Sequence, residues 1–381
     1  MLQLVQREPA LIAWALQILL IPLYVFRSGL PQPGDMFIVV LLPVAMFRWD
    51  GKLDRKAREV VRPLLWFTAW ACAVNYAWAL VTANFAPSGP DSYLLYPIYY
   101  VYNVLVFLVA FILYRRHGDA FIRLTVYVIV ATVYFQVAAS FVMRSTFSRG
   151  TLFFNNPNQL GYYALLAATL IALVHHRLKF RLTYSGFALT CCGYLALTSA
   201  SRAATAGVAL LFIFLVFSNP RVIIAACLIT AIVLAIGGPI TERLSASQER
   251  VLHPNDHHLS FAEERGYDRI WHYPEYLLLG AGEGGLSRFD TATHLMTEIH
   301  SSAGTIVFSY GLVGTTLFLT FGLRVIRGAR KREILMLLPP LLYTIAHQGL
   351  RFTLLWVLIA IFVSIKQTAP PRAARPLPIG L

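Results

Sequence analysis

The sequence has few charged residues, and those it has are unevenly divided by sign. Charged side chains make up 13% of its 381 residues, with 18 Asp and Glu against 32 Lys and Arg, while 57% of the residues are hydrophobic. This composition argues against a soluble fold and predicts a membrane protein. The net charge of +14 lies mostly in short segments between apolar runs, where it orients helices. Nucleic acid is therefore not predicted as a partner.

Cysteine is also scarce. The four cysteines lie inside apolar runs without the spacing of a metal site, so we interpret them as small buried hydrophobic residues. The histidine cluster at 253–258 contains a proline and an asparagine that favour a turn, and we interpret it as a solvated loop. The sequence therefore predicts no disulfide, no metal site and no cofactor.

Long apolar runs predict an all-α polytopic integral membrane protein. A helix needs about 20 apolar residues to cross a bilayer, which gives about twelve transmembrane helices. The runs lie near 10–26, 36–47, 63–84, 94–114, 121–142, 159–175, 183–198, 203–218, 221–238, 303–323, 333–347 and 352–366. The predicted organisation has helices one to nine in 1–238, a large loop in 239–300, helices ten to twelve in 301–366, and a disordered tail in 367–381.

Basic residues predict the orientation of these helices. Lys and Arg crowd alternate connections, which cytoplasmic loops do in membrane proteins, so both termini are predicted to be cytoplasmic and the large loop to lie outside. This plan also brings polar residues from distant parts of the chain to the outer face, which predicts one shared site, although any outer loop contains polar residues. The crowded connections are 48–62, 115–123, 177–181, 324–332 and 366–375.

The large loop is the most polar part of the chain and ends at His300. Ten of the 18 acidic residues lie between Glu242 and Glu298. Imidazole titrates near neutrality, so His300 is a candidate general base for an attacking hydroxyl. A hydrolase triad with Ser301 or Ser302 is the alternative, but no nucleophile-elbow motif accompanies it. The glycine-rich run 280–285 lacks the context of a nucleotide loop and predicts a turn that lets backbone approach a ligand.

Amides and arginines at the outer face have two interpretations. Asn155 and Asn158 precede or begin a helix, where amides can cap the helix or bind sugar hydroxyls and phosphate. The arginines can pair with neighbouring acids or reach the membrane interface. They can also bind the oxygens of a diphosphate through the guanidinium group. The arginines concerned are Arg202, Arg265, Arg269 and Arg351.

Several short motifs between residues 150 and 320 occur in an order typical of one known family. They are Asn-Pro-Asn-Gln-Leu-Gly at 156–161, Ser-Ala-Ser-Arg at 199–202, Arg265 with Trp271 ahead of Leu-Gly-Ala-Gly at 279–282, and His300 followed by Gly311 and Gly314. Together they resemble the bacterial O-antigen ligase and O-antigen polymerase superfamily.

This resemblance implies a metal-independent glycosyltransferase of the bacterial inner membrane whose active site faces the periplasm. By motif position, His300 takes the place of the family's essential histidine, and Arg265 and Arg202 take the places of arginines that contact a diphosphate. We expect His300 and Arg265 to be catalytic, Arg202, Arg269 and Arg351 to bind the diphosphate, and Asn155 and Asn158 to bind the glycan or acceptor. The implied partners are an undecaprenyl-diphosphate-linked oligosaccharide donor, a glycan or lipid A core acceptor, the lipid bilayer and a chain-length regulator.

Four functions remain open. An inverting polymerase would join O-antigen or exopolysaccharide repeat units, whereas a ligase would transfer the glycan to lipid A core. A transporter of polysaccharide or lipid-linked oligosaccharide is the alternative from another class, because carriers commonly have twelve helices with both termini inside, although no internal repeat is evident. A structural subunit of an envelope complex would tolerate changes at His300 and the arginines.

Overall fold

A computed structural model describes residues 8–27, 30–47, 49–86, 92–143, 150–178, 180–218, 260–289 and 298–367. Every regular element in these ranges is helical. Short 3₁₀ turns at Pro274–Tyr276 and Leu286–Arg288 lie in the polar segment. The α-helices are α1 (Pro9–Leu20), α2 (Pro33–Met36), α3 (Ile38–Met46), α4 (Arg55–Val81), α5 (Leu95–His117), α6 (Asp119–Val142), α7 (Pro157–Leu178), α8 (Leu182–Ser199), α9 (Arg202–Ser218), α10 (Phe261–Glu264), α11 (Arg269–His272), α12 (Ser302–Ile326), α13 (Lys331–Ala346) and α14 (Thr353–Gln367).

Five of the described helices are long and apolar enough to cross a membrane: α4, α5, α6, α7 and α12. Shorter apolar helices occupy Pro9–Leu20, Pro33–Met46, Arg202–Leu215 and Thr353–Lys366. The prediction of an all-helical protein with apolar helices is thus confirmed for the part of the chain that the structure describes. The predicted ninth span, the tail and much of the loop, including the 253–258 histidines, lie outside it, so the number of spans and the extent of the loop stay predictions.

The ends of α1 and α4 differ from the apolar runs for identifiable reasons. The first run extends to residue 26, but α1 ends at Leu20, just before Pro22, which lacks the amide hydrogen that would continue the helix. In contrast, α4 begins at Arg55, eight residues before the predicted run at 63. Its first two turns are rich in charged residues, so hydropathy detects only the apolar part of a longer helix.

The basic connections meet at one end of the bundle. Arg115 at the end of α5 binds Asp50 at 2.8 Å and Asp54 at 3.1 Å, both in the connection before α4. These exposed contacts contribute little stability each, but they place the segments side by side. Further contacts at the same end are Arg116 with Glu8 at 3.5 Å, Arg177 with Asp119 at 3.9 Å and Arg324 with Glu59 at 4.0 Å.

Helix α12 is broken at Gly311, where the backbone has φ of 63° and ψ of −167°. The break leaves peptide groups on both sides without partners in the helix, and the polar segment before the helix satisfies them. A buried peptide group requires such a partner, so the segment and the broken helix form one unit. The hydrogen bonds run from the amide of Ala281 to the carbonyl of Phe308 (3.0 Å), from Gly282 to Ser309 (2.9 Å), and from Leu312 to Leu277 (2.7 Å).

Glycine permits this close approach. Gly280 has φ of 102°, and a Cβ atom there would collide with the carbonyl group of Ser309. A Cβ atom at Gly311 would lie 2.5 Å from the carbonyl oxygen of Leu278. The glycine-rich run is predicted to let the backbone approach a ligand. In the structure, its backbone instead approaches the backbone of α12.

Candidate functional site

A polar cavity of about 280 Å³ lies among helix ends. Its lining includes Asn158 in the first turn of α7, His347 at the end of α13 and Arg351 just before α14. The polar segment contributes Arg265 and His300. In α7, α12, α13 and α14 these are the ends opposite the basic connections. Residues far apart in sequence therefore share one cavity, as the sequence predicts for His300, Arg265, Arg351 and Asn158.

His300 stands where the polar segment enters α12. Its amide donates a 3.0 Å hydrogen bond to the carbonyl of Arg265. The next residue, Ser301, caps the helix by accepting a 3.1 Å hydrogen bond from Gly304, and its hydroxyl lies 2.6 Å from that of Tyr267. His300 itself is exposed. The backbone is thus fixed by the helix cap while the imidazole can meet a molecule in the cavity.

Arg265 is mostly buried and faces His347. Its Nη1 lies 3.5 Å from Nδ1 of His347, and its Nη2 lies 3.8 Å from the carboxylate of the exposed Glu264. The guanidinium is also 5.9 Å from the ring centroid of Phe261. An ion pair of that length with an exposed acid compensates little of the charge, so Arg265 presents positive potential to the cavity.

Arg351 has very different surroundings. Its Nη2 donates hydrogen bonds to Glu283 and, at 2.8 Å, to Glu298. The guanidinium lies 4.8 Å from the ring centroid of Tyr96. Burial alone would lower the pKa of Arg351, but the two carboxylates reverse the direction and raise it. Burial likewise opposes ionisation of Glu298, yet Arg351 holds the pKa of that carboxyl below its usual value. Arg351 and Glu298 are therefore both charged at neutral pH.

Glu283 anchors this cluster to the helices. Its Oε2 accepts hydrogen bonds from Tyr310 of α12 at 2.8 Å and from Tyr100 of α5 at 3.2 Å. Its amide donates to the side chain of Asn75 in α4 at 3.1 Å, and the Asn75 amide group donates back to the Glu283 carbonyl at 2.8 Å. The Glu283 side chain is only 6% exposed. A buried carboxylate needs such partners, and here they fix its position.

Three predicted binding residues lie elsewhere. Arg202 is exposed at the start of α9. Arg269 is buried beside Asp268, and burial lowers its pKa while Asp268 opposes that effect. Asn155 is exposed, and its amide donates to the carbonyl of Phe26. The structure does not bring these three side chains into the lining of the cavity.

Sequence reasoning missed several acidic and polar residues of the site. Glu283 lies in a glycine-rich run whose glycines alone predict a turn. Glu298 is one of ten acidic residues in a polar loop, and nothing in the local sequence distinguishes it from the others. Asp35 also lines the cavity, where it accepts a 3.0 Å hydrogen bond from Thr353. The signal for Asp35 was available, since an acid beside an apolar run is costly unless it has a partner.

The side chains that line the cavity can bind polar organic ligands. Within the described ranges, no group of three His, Cys, Asp or Glu side chains is arranged to hold a metal ion. The cavity instead combines an imidazole, an incompletely paired guanidinium and amide groups, which can accept a proton, bind an anion and bind hydroxyls. No protein-family model matches this chain, and no curated protein has significant sequence similarity to it.

Proposed function

We propose that this protein is an inverting, metal-independent membrane glycosyltransferase. It takes a glycan from undecaprenyl diphosphate and transfers it to a sugar hydroxyl, most simply by polymerising O-antigen or exopolysaccharide repeat units. The observation that carries the proposal is the shared cavity, because an imidazole and a weakly compensated guanidinium of the polar segment meet an amide of α7 at one end of the bundle.

In the proposed reaction, His300 takes the proton from the acceptor hydroxyl as its oxygen attacks the anomeric carbon of the donor. The bond from that carbon to the diphosphate oxygen breaks, and undecaprenyl diphosphate leaves with the electron pair. Direct displacement inverts the anomeric centre. Arg265 offsets the charge of the leaving group, since it faces the cavity and its contact with the exposed Glu264 carboxylate is 3.8 Å long.

The N-terminus of α12 supports the same assignment. Helix N-termini carry partial positive charge and favour anions. His300 immediately precedes the capping residue Ser301, so an anionic leaving group beside His300 would also lie near the end of α12.

A second cavity fits the lipid part of such a donor. It has a volume of about 240 Å³, lies between α12, α13 and α14, and is lined mainly by apolar residues such as Ile306, Phe318 and Leu341. It adjoins the polar cavity, because Leu350, one residue before Arg351, lines it and donates its amide to Ser302 at 3.1 Å. A polyprenyl chain could lie there with its diphosphate directed toward Arg265.

We further propose the membrane arrangement that this chemistry needs. The protein resides in a bacterial inner membrane with about twelve spans, its basic connections and both termini are cytoplasmic, and the polar loop is periplasmic. The site then lies where a lipid-borne donor and a periplasmic acceptor can meet.

The test is transfer by the purified protein in lipid. Lipid-linked repeat units supplied alone should grow into longer chains, and the His300→Ala variant should not extend them. Dependence of transfer on added lipid A core would instead identify a ligase, which is the alternative with the same donor chemistry. Movement of lipid-linked glycan across vesicles without formation of a glycosidic bond would overturn the transferase proposal and favour a carrier.

A further inference from the structure

The two arginines of the cavity have opposite electrostatic surroundings. Among the described residues, Arg265 has one acidic contact, at 3.8 Å with exposed Glu264. Arg351 has two carboxylates on one nitrogen, and their side chains are 6% and 32% exposed for Glu283 and Glu298. An anionic ligand would have to displace a carboxylate to reach that nitrogen of Arg351. A role as a simple anion ligand therefore suits Arg265 better than Arg351.

The two carboxylates that Arg351 joins come from different parts of the polar segment. Glu283 is fixed to the helices by Tyr310, Tyr100 and Asn75. Glu298 lies two residues before His300, where the chain enters α12. The bridge therefore connects a rigid point in the bundle to the segment that carries the candidate base.

Other contacts hold the later part of that segment. Ile299 is buried against Phe308 and Phe289, and its carbonyl accepts a hydrogen bond of 2.5 Å from Gln348. Ser301 caps α12. At the Glu298 end, the carboxylate accepts a hydrogen bond from Arg351, which itself lines the cavity. Loss of that bond would free the Glu298 end of the segment, two residues before His300.

We propose that Arg351 is a positioning residue, which holds the 298–301 segment against Glu283 and so sets the place of His300 in the cavity. A guanidinium suits this task because it remains charged and directs several N–H groups in a fixed plane. Removal of one member of a buried charge cluster leaves the others uncompensated, so the segment should loosen when either Arg351 or Glu298 is changed. The position of the segment is independent of the reaction, whereas its effect on transfer rests on the proposed function.

The first experiment measures amide hydrogen exchange in the purified full-length protein. Glu298→Gln and Arg351→Lys should each speed exchange of the 298–301 amides by about tenfold or more, since local opening exposes amides in proportion to its population. Glu298→Asp, which keeps the charge, should restore part of the protection. Glu275→Gln changes an exposed acid of the same polar segment and should leave that exchange unaltered. Unaltered exchange in Glu298→Gln and Arg351→Lys would overturn the proposal.

The second experiment measures the kinetics of the same variants. A positioning role predicts that Glu298→Gln lowers kcat by about tenfold or more with little change in the donor KM, because the base is displaced while the diphosphate site persists. If Arg351 were instead a diphosphate ligand, Glu298→Gln would free it from a competing carboxylate and lower the donor KM, an outcome that overturns the positioning role.

The two experiments also separate the positioning role from the proposed function. If the wild-type protein transfers no glycan but the variants exchange faster, the positioning role is retained and the transferase proposal is rejected. If the wild type transfers glycan but the variants show unaltered exchange, the transferase proposal is retained and the positioning role is rejected.

Discussion

The amide of His300 and the carbonyl of Arg265 are joined by a 3.0 Å hydrogen bond, so the two residues that we propose as base and leaving-group stabiliser share a backbone contact. The bond closes the polar segment on itself over 34 intervening residues, of which 266–289 and 298–299 are described. The effects on transfer of replacing the two side chains should therefore not be additive.

Replacement of His300 tests the proposed base. His300→Ala should lower the rate of glycan transfer by about 10²–10⁴-fold, the usual contribution of general-base catalysis. The measurement is the initial rate of chain growth on lipid-linked repeat units. His272→Ala is the matched control, because His272 is an exposed histidine of the same segment that lies 3.7 Å from Asp268. A fully active, correctly inserted His300→Ala protein would contradict the assignment.

Replacement of the arginines tests where the diphosphate binds. Arg265→Ala should raise the donor KM by about tenfold or more, because a charge-assisted hydrogen bond to phosphate is lost. Arg202→Ala should change it less, since Arg202 is exposed at the start of α9 and does not line the cavity. The check is the dependence of the initial rate on donor concentration. An equal or larger effect of Arg202→Ala would mean that the donor lies outside this cavity.

The break in α12 gives a stability prediction. Gly280→Ala should destabilise the protein by about 1–3 kcal/mol, because the residue has φ of 102° and its new methyl group would meet the backbone of α12. The control is Gly322→Ala within α12, where nothing lies within 4 Å of the added Cβ atom. This change should be neutral or should stabilise the protein by about 0.5–1 kcal/mol. Thermal unfolding of the two variants in detergent would decide between these directions, and equal melting temperatures would contradict the docking of the loop.

The ion pair of Glu298 gives a pH prediction. The pKa of Glu298 is lowered in the folded protein, so the pair stabilises the fold when the carboxylate is ionised. This contribution is present above the ordinary value of 4.5 and is lost as the pH falls below it through the lowered folded value. The melting temperature of wild type should therefore exceed that of Glu298→Gln at neutral pH, and the difference should shrink in acid. A difference that grows in acid would give the wrong sign for this pair.

Labelling can test the proposed orientation. With the four native cysteines replaced, Glu275→Cys should react with a membrane-impermeant thiol reagent added to intact cells. Arg55→Cys, at the basic end of the bundle, should react only after the membrane is opened. Both side chains are exposed, so access to reagent and not burial decides the result. The reverse pattern would place the polar segment in the cytoplasm.

The helices were predictable because hydropathy depends on composition over many residues. Each apolar run of the described chain falls on a helix, including the short pair α2 and α3 and the final helix α14. The deviations come from effects that a hydropathy window does not contain. Pro22 ends α1 early through its missing amide hydrogen, and a charged first segment extends α4 to Arg55 beyond its apolar core.

The site was only partly predictable. His300 stands at a polar-to-apolar boundary and Arg265 in a recognisable motif, so local sequence indicates both. The partners of Arg351 depend on a contact between residues 283 and 351 that no local pattern contains. The same limit explains why the contact of the glycine-rich run with α12 was not predicted. A tight turn against a ligand and a tight turn against a broken helix need the same glycines.

Part of the attachment of the polar segment to α12 is made by main-chain atoms, and at Leu277 it does not depend on the identity of the side chain. The leucines at 277–279 can be exchanged for residues of many kinds without altering the peptide groups that hold them in place. Such an attachment would let the side chains of the polar segment vary while its backbone keeps the same place on α12.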